Sequence, residues 1–287
     1  MRFRSVVPAV ISLILALFFA GCETIPETGR QRLMLFAPSL DQESALAAQA
    51  FQEAKAERGL SKDARRAALV REVGQRISAV VGDELPNAQW EFVLLKGDEV
   101  NAFCLPGGRI AVYEGLFRAV QTEDELAFVM GHEVAHAVKR HGAERMSNMI
   151  LASLIAGVAT ELTASARLQD NYRMLVTMGT GMVAQGVLLK YSREQEYEAD
   201  QLGLFYTARA GYDPRASIAF WSRMSELSTG PASPEWLSTH PSDAARIARL
   251  QALMPQAMEI YRANARHVPV PFRPEDAFCE NLSLPTD

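Results

Sequence analysis

Three of the five histidines in this 287-residue chain fall in one short run, Gly131-His132-Glu133-Val134-Ala135-His136-Ala137-Val138-Lys139-Arg140-His141. Residues four apart on a helix sit one above the other, so His132 and His136 share a face. That spacing lets two imidazoles reach one Zn²⁺ at about 2.0–2.1 Å. Glu133 projects beside such a metal, placed to take a proton from water held there. The flanks are apolar: Phe128, Val129, Met130, Val134, Ala135, Ala137 and Val138. Such a helix is buried, and buried polar groups need partners. A catalytic zinc site takes three protein ligands and one open position, so the fold must bring a further ligand from elsewhere.

Ser192-Arg193-Glu194-Gln195-Glu196-Tyr197-Glu198-Ala199-Asp200 offers one. Glu196 and Asp200 are again four apart. One carboxylate can bind zinc while the other accepts the remaining N–H of a ligating histidine, which fixes that histidine's tautomer. Glu194 and Glu198 fall off this face and read as solvent-facing or arginine-paired. His141 reads as a structural or ion-paired residue near a helix end. Two distant stretches of chain must therefore converge on a single ion.

The rest of the pattern is that of an α+β, mainly helical fold. Helices are expected over Asp41–Arg58, over Asp63–Val81 with Leu69, Val73, Ile77 and Val80 on one face, over Glu194–Arg209 and over Ser242–Leu253. Thr122 and Glu125 form a capping-box pattern at the head of a helix running to about Gly142. Pro86-Asn87 marks a break. Trp90–Leu94, Val100–Leu105 and Arg109–Tyr113 read as strands, the last two joined by Pro106-Gly107-Gly108. They predict a small mixed sheet of three or four strands above the histidine helix. The apolar stretches Met149–Ala159 and Met174–Leu189 read as helices packed beside the site. The first is too short to span a bilayer, and the second contains Gly179, Gly181, Gln185 and Gly186. No period of 20–50 residues is present. A chain 48% hydrophobic and 22% charged can bury a proper core. A net charge of −5 without a long basic run argues against nucleic acid as a partner.

Taken together, these motifs resemble the HtpX-like, CaaX-prenyl-protease-type family of zinc metalloendopeptidases (gluzincins), in its soluble bacterial lipoprotein branch. The resemblance rests on four marks in the family's order, across roughly residues 60–250. They are Asn101-Ala102-Phe103-Cys104-Leu105-Pro106-Gly107-Gly108, the His132–His136 motif with His141-Gly142, Glu196–Asp200, and Ser238-Thr239-His240-Pro241 with Arg246. The resemblance implies a zincin-like domain holding one Zn²⁺ on His132, His136 and Glu196. It implies Glu133 as general base and Asp200 as the carboxylate behind a ligating histidine. Asn101, Ala102 and Phe103 would form an exposed edge to which an extended peptide adds as a strand. His240 and Arg246 could stabilise the oxyanion, or His240 could occupy the open metal position and restrain activity. Implied substrates are unfolded or misassembled envelope proteins, with the outer-membrane assembly machinery as a further partner. The rival reading is an envelope assembly chaperone or adaptor with a latent zinc site, using the apolar surface of 149–189.

The N-terminus fits this setting. Arg2 and Arg4 precede an apolar run from Val6 to Ala20, the layout of a bacterial export signal, and Ala20-Gly21 before Cys22 resembles a lipobox, with an uncleaved N-terminal anchor helix as the alternative. The run is shorter than the roughly 20 apolar residues that span a bilayer. Cys22 is the expected lipidation site, with the acyl chains anchoring an acidic domain at the periplasmic face. By resemblance to lipoprotein sorting, Glu23 rather than Asp after it implies the outer membrane. The expected division is 1–21 signal peptide, 22–40 lipidated tether, 41–267 metallopeptidase domain, and 268–287 a Pro-rich tail packed on that domain. Cys104 and Cys279 then remain, an even pair that permits a disulfide, with two buried thiols as the alternative.

Overall fold

The structure is a computed structural model that describes residues 22–26, 28–159, 191–228, 236–240 and 244–264. In chain order the elements are β1 (Cys22–Thr24), β2 (Gln31–Leu33), α1 (Leu40–Arg58), α2 (Ala64–Val81), β3 (Glu91–Leu95), β4 (Ala102–Leu105) and β5 (Arg109–Tyr113). They continue with α3 (Glu123–Val138), α4 (His141–Ala159), α5 (Arg193–Arg209), α6 (Ala216–Ser228), the single turn α7 (Trp236–Thr239) and α8 (Ala244–Asn264). Side-chain caps set the helix starts. Ser39 forms a capping box with Gln42 at α1, Thr122 accepts from Glu125 N at α3, and Ser192 forms a box with Gln195 at α5.

The main sheet has the order β3-β5-β4, with β3 parallel and β4 antiparallel to β5. Successive side chains of a strand face opposite ways. Leu94, Ala102, Ile110 and Val112 join the large core with α2 and α3, while Leu95, Phe103, Leu105, Ala111 and Tyr113 join Phe51 of α1. The sheet is thus covered on both faces and lies over α3, with β4 as an edge strand. This is the mainly helical α+β arrangement with a small mixed sheet that the sequence predicts.

Several local features differ. Glu125 does not close the expected box; it accepts from Gln121 N and pairs with Arg223. The histidine helix stops at Val138 rather than near Gly142, because Arg140 adopts φ 54° and turns the chain. A non-glycine residue rarely sits there. Here the Arg140 guanidinium is held by Glu43 and by the carbonyl of Pro38. The stretch 22–40, expected as a tether, begins with the β1–β2 hairpin and lies against the domain. Ile25, Leu33 and Met34 are buried, and Phe36 N donates to Ser147 Oγ. Helices α6 and α7 were not foreseen, and α8 runs well beyond Leu253. The signal stretch 1–21, the apolar stretch Met174–Leu189, Cys279 and the tail 268–287 lie outside the described residues. Among the described residues no helix is long and apolar enough to cross a membrane.

Candidate metal centre

Two glycines bring the site together. On α5, Gly203 meets α3 backbone to backbone: a Cβ there would lie 2.8 Å from His132 N and 2.9 Å from its Cα. From the other side, a Cβ on Gly131 would meet the Gly203 carbonyl at 3.1 Å. Only this close crossing lets Glu196, two turns before Gly203, reach across to the histidines of α3.

The result is one buried cluster of His132, His136, Glu196 and His240, whose ligand atoms all lie within 4.8 Å of one another. His136 Nε2 is 3.1 Å from His132 Nε2, and His132 Nε2 is 3.3 Å from His240 Nδ1. The Glu196 carboxylate lies 3.6 Å from His132 Nε2, 3.5 Å from His136 Nε2 and 3.0 Å from His240 Nδ1. Four atoms bound tetrahedrally at about 2.0–2.1 Å stand about 3.3 Å apart, which matches these spacings. The donor set is also right: burial pushes His132, His136 and His240 below the ordinary histidine range, so they are neutral and carry lone pairs. With the ring protons on the Nδ1 atoms, the Nε2 lone pairs of His132 and His136 face each other at 3.1 Å, an arrangement a cation between them would relieve. The residues therefore fit a divalent metal.

Behind the cluster, Asp200 Oδ1 lies 3.1 Å from His132 Nδ1 and also accepts from Trp221 Nε1. Burial would raise this carboxyl, but Arg246 and His132 hold it below the usual aspartate range. Arg246 is buried behind the ligands, not beside an oxyanion position as expected. Its Nη1 is 2.5 Å from Glu196 Oε2, and its Nε and Nη2 each bond Asp200 at 2.6 Å while it stacks on Trp221. Its charge holds two carboxylates, so it positions Glu196 and Asp200. Glu133 lies on the opposite side, buried, with Oε1 accepting from Trp236 Nε1 at 2.8 Å and standing 3.5 Å from His240 Nε2. Burial pushes Glu133 well above the usual carboxylate range, against the pull of Trp236 and Arg246.

His240 lies within the same cluster as His132, His136 and Glu196. Trp236 stacks on its ring, and His240 N donates to the Trp236 carbonyl. The same turn covers the start of the β4 edge: Trp236 N donates to Val100 O, and Ala102 N donates to the Asn101 side chain. The side chains of Asn101, Ala102 and Phe103 are buried. Cys22 is exposed, Cys104 carries a thiol that burial and then Glu133 push well up, and its expected partner is not among the described residues.

Sequence reasoning missed Trp236, Trp221 and Tyr191. Tyr191 stacks on His136 with ring centres 3.8 Å apart and is itself covered by Arg145. Trp236 carried a usable signal, since it precedes His240 by four residues and shares its face. Glu198 is arginine-paired, as its off-face position suggested. Burial would raise it, but hydrogen bonds from His141, Arg30 and Thr28 hold it down at about 2.

The chain is similar to known proteins over most of this architecture. It is 33% identical to the mitochondrial metalloendopeptidase OMA1 of Bos taurus over 257 residues, 86% of this chain and 49% of that protein. It is 33% identical to that of Schizosaccharomyces pombe over 89% of this chain and 73% of that protein. It is 30% identical to the beta-barrel assembly-enhancing protease of Escherichia coli over 62% of this chain and 38% of that protein. The chain thus spans about half the length of the bovine relative. Residues 64–254, which carry every ligand atom of the cluster, match the model of peptidase family M48, and the chain belongs to that family.

Proposed function

We propose that this chain is a zinc-dependent endopeptidase of the bacterial envelope. The observation that carries the reading is the convergence of His132, His136 and Glu196 with Glu133 beside them. These three residues would hold the ion, and His240 would be a fourth ligand in the conformation described. When bound, zinc supplies Lewis acidity to a peptide carbonyl and to water. The chain's own groups do the rest. Glu133 takes a proton from water at its carboxylate and returns it to the departing amine, with Trp236 Nε1 fixing the position of Oε1. Asp200 holds the proton on His132 Nδ1, leaving Nε2 free to ligate. An extended substrate would add to β4, which requires the Trp236–His240 turn to move away. In this reading the described conformation would be a restrained one, opened by displacement of His240.

Finer parts of the reading belong to the same proposal. Cys22, exposed at the head of β1, is the lipidation site, and the lipid holds the domain at the periplasmic face of the outer membrane. The bacterial relative named as a β-barrel assembly-enhancing protease supports envelope proteins of the β-barrel class as substrates. The test is Glu133→Gln in the full chain, assayed on an unfolded protein with metal content measured alongside. Zinc should be retained while cleavage falls by at least about 10²-fold. A variant that keeps its turnover would overturn the mechanism, and a wild-type chain that holds no metal would overturn the function.

A further inference from the structure

The nitrogen of His136 that faces away from the cluster has its own partner. His136 Nδ1 lies 2.8 Å from His141 Nδ1, and His141 Nε2 lies 3.0 Å from Glu198 Oε2. The same carboxylate takes three other hydrogen bonds. Oε1 accepts from Thr28 Oγ1 and Arg30 Nε, both at 2.8 Å, and Oε2 accepts from Arg30 Nη2 at 2.9 Å. Arg30 also reaches Glu144 with Nη1 and Nη2, and Gln195 Nε2 donates to Glu144 Oε2. His141 and Glu198 are buried, and Thr28 and Arg30 belong to the N-terminal hairpin.

These contacts order the protons. An ionised carboxylate only accepts, so the hydrogen on His141 sits on Nε2. The Nδ1 of a neutral His141 then has only a lone pair and must accept from His136 Nδ1–H. That leaves His136 Nε2 with a lone pair aimed at His132 and Glu196, the state a metal ligand needs. His132 gets the same help from Asp200 alone. We infer that His141 is a positioning residue that sets the tautomer of His136, and that Arg30, reaching in from the N-terminal hairpin, holds the Glu198 end of this chain of hydrogen bonds. The hairpin is thus part of the metal site's support. The inference rests on the zinc reading only for its effect on metal affinity.

Two readouts test it in the full chain. The first is nitrogen NMR of the metal-free protein with labelled histidine, where five rings make assignment tractable. His136 should carry its proton on Nδ1 in the wild type and in His141→Asn, whose side-chain oxygen can accept in place of the imidazole. It should lose that preference in His141→Leu. The second is zinc affinity by competition with a chelating dye. His141→Leu should bind about 10- to 100-fold more weakly, with His141→Asn well above it and Arg30→Met below Arg30→Lys. A wild-type His136 with its proton on Nε2 would overturn the inference, as would His141→Leu with unchanged tautomer and affinity. Should His141→Leu fail to fold, the wild-type tautomer and the Asn variant decide the matter. A wild type that binds no zinc but shows the Nδ1–H tautomer would overturn the peptidase reading and leave the relay standing.

Discussion

Gly203→Ala should damage the metal site without touching a ligand. The added methyl would sit 2.9 Å from His132 Cα and 2.8 Å from its N. Carbon pairs rest at about 3.5–4.0 Å, so α3 and α5 must separate by at least about 0.6 Å. The obstacle is backbone, and no rotamer change relieves it. Metal–ligand distances tolerate about 0.2 Å, and the residue pushed away is His132 itself. Overpacking of this kind costs about 1–3 kcal/mol, equivalent to about 5- to 150-fold in affinity if the metal site takes the whole effect. Urea unfolding with and without zinc, together with dye competition, separates loss of fold from loss of affinity. Alanine is intrinsically the better helix former by about 0.8–1.0 kcal/mol. A variant stabilised by that amount, with wild-type zinc affinity, would refute the close-crossing argument.

Two further substitutions probe other parts of the structure. Trp236→Phe removes the Nε1 donor to Glu133, which pulls that carboxyl down, so its pKa rises further. If Glu133 is the base, the acid limb of the pH–rate profile moves to higher pH, and an unmoved limb rules out the contact as a tuning element. Glu144 is opposed by burial but held below its ordinary value of 4.5 by Arg30 and Gln195. A depressed carboxyl contributes stability that is present above about pH 4.5 and lost as pH falls below it. Glu144→Gln should therefore start less stable at neutral pH and show a shallower decline in Tm below pH 4.5; parallel declines would count against the pairing.

The parts of the fold legible in the sequence are those set by local rules. Spacing at four put His132 with His136 and Glu196 with Asp200 on their helix faces, and the Pro106-Gly107-Gly108 turn fixed the β4–β5 pairing. What stayed hidden depends on which distant residue ends up opposite. Arg246 reads as an oxyanion donor from its place after His240, but with two buried carboxylates within 2.6 Å its charge is committed to them. The stretch 22–40 reads as a tether because it is polar and broken by proline and glycine. Its attachment comes from Arg30 and from Ile25, Leu33 and Met34, too few residues to make a periodic pattern.

Charge accounts for why this set of groups is buried at all. Glu133, Glu196 and Asp200 crowd the cluster with three carboxylates, while Arg246 supplies one guanidinium to the last two. The surrounding imidazoles are held neutral by burial and offset none of this charge. Unbalanced buried charge is expensive, and the protein's own means of relief is to keep Glu133 protonated, the direction in which burial pushes it. A cation at the centre would offset these carboxylates, and Glu133 could then give up its proton more cheaply. An ion that fits the nitrogens of His132 and His136 would thus make the neighbouring carboxylate available as a base. The electrostatics and the donor spacing therefore both favour a cation at the centre, and they do so from different residues.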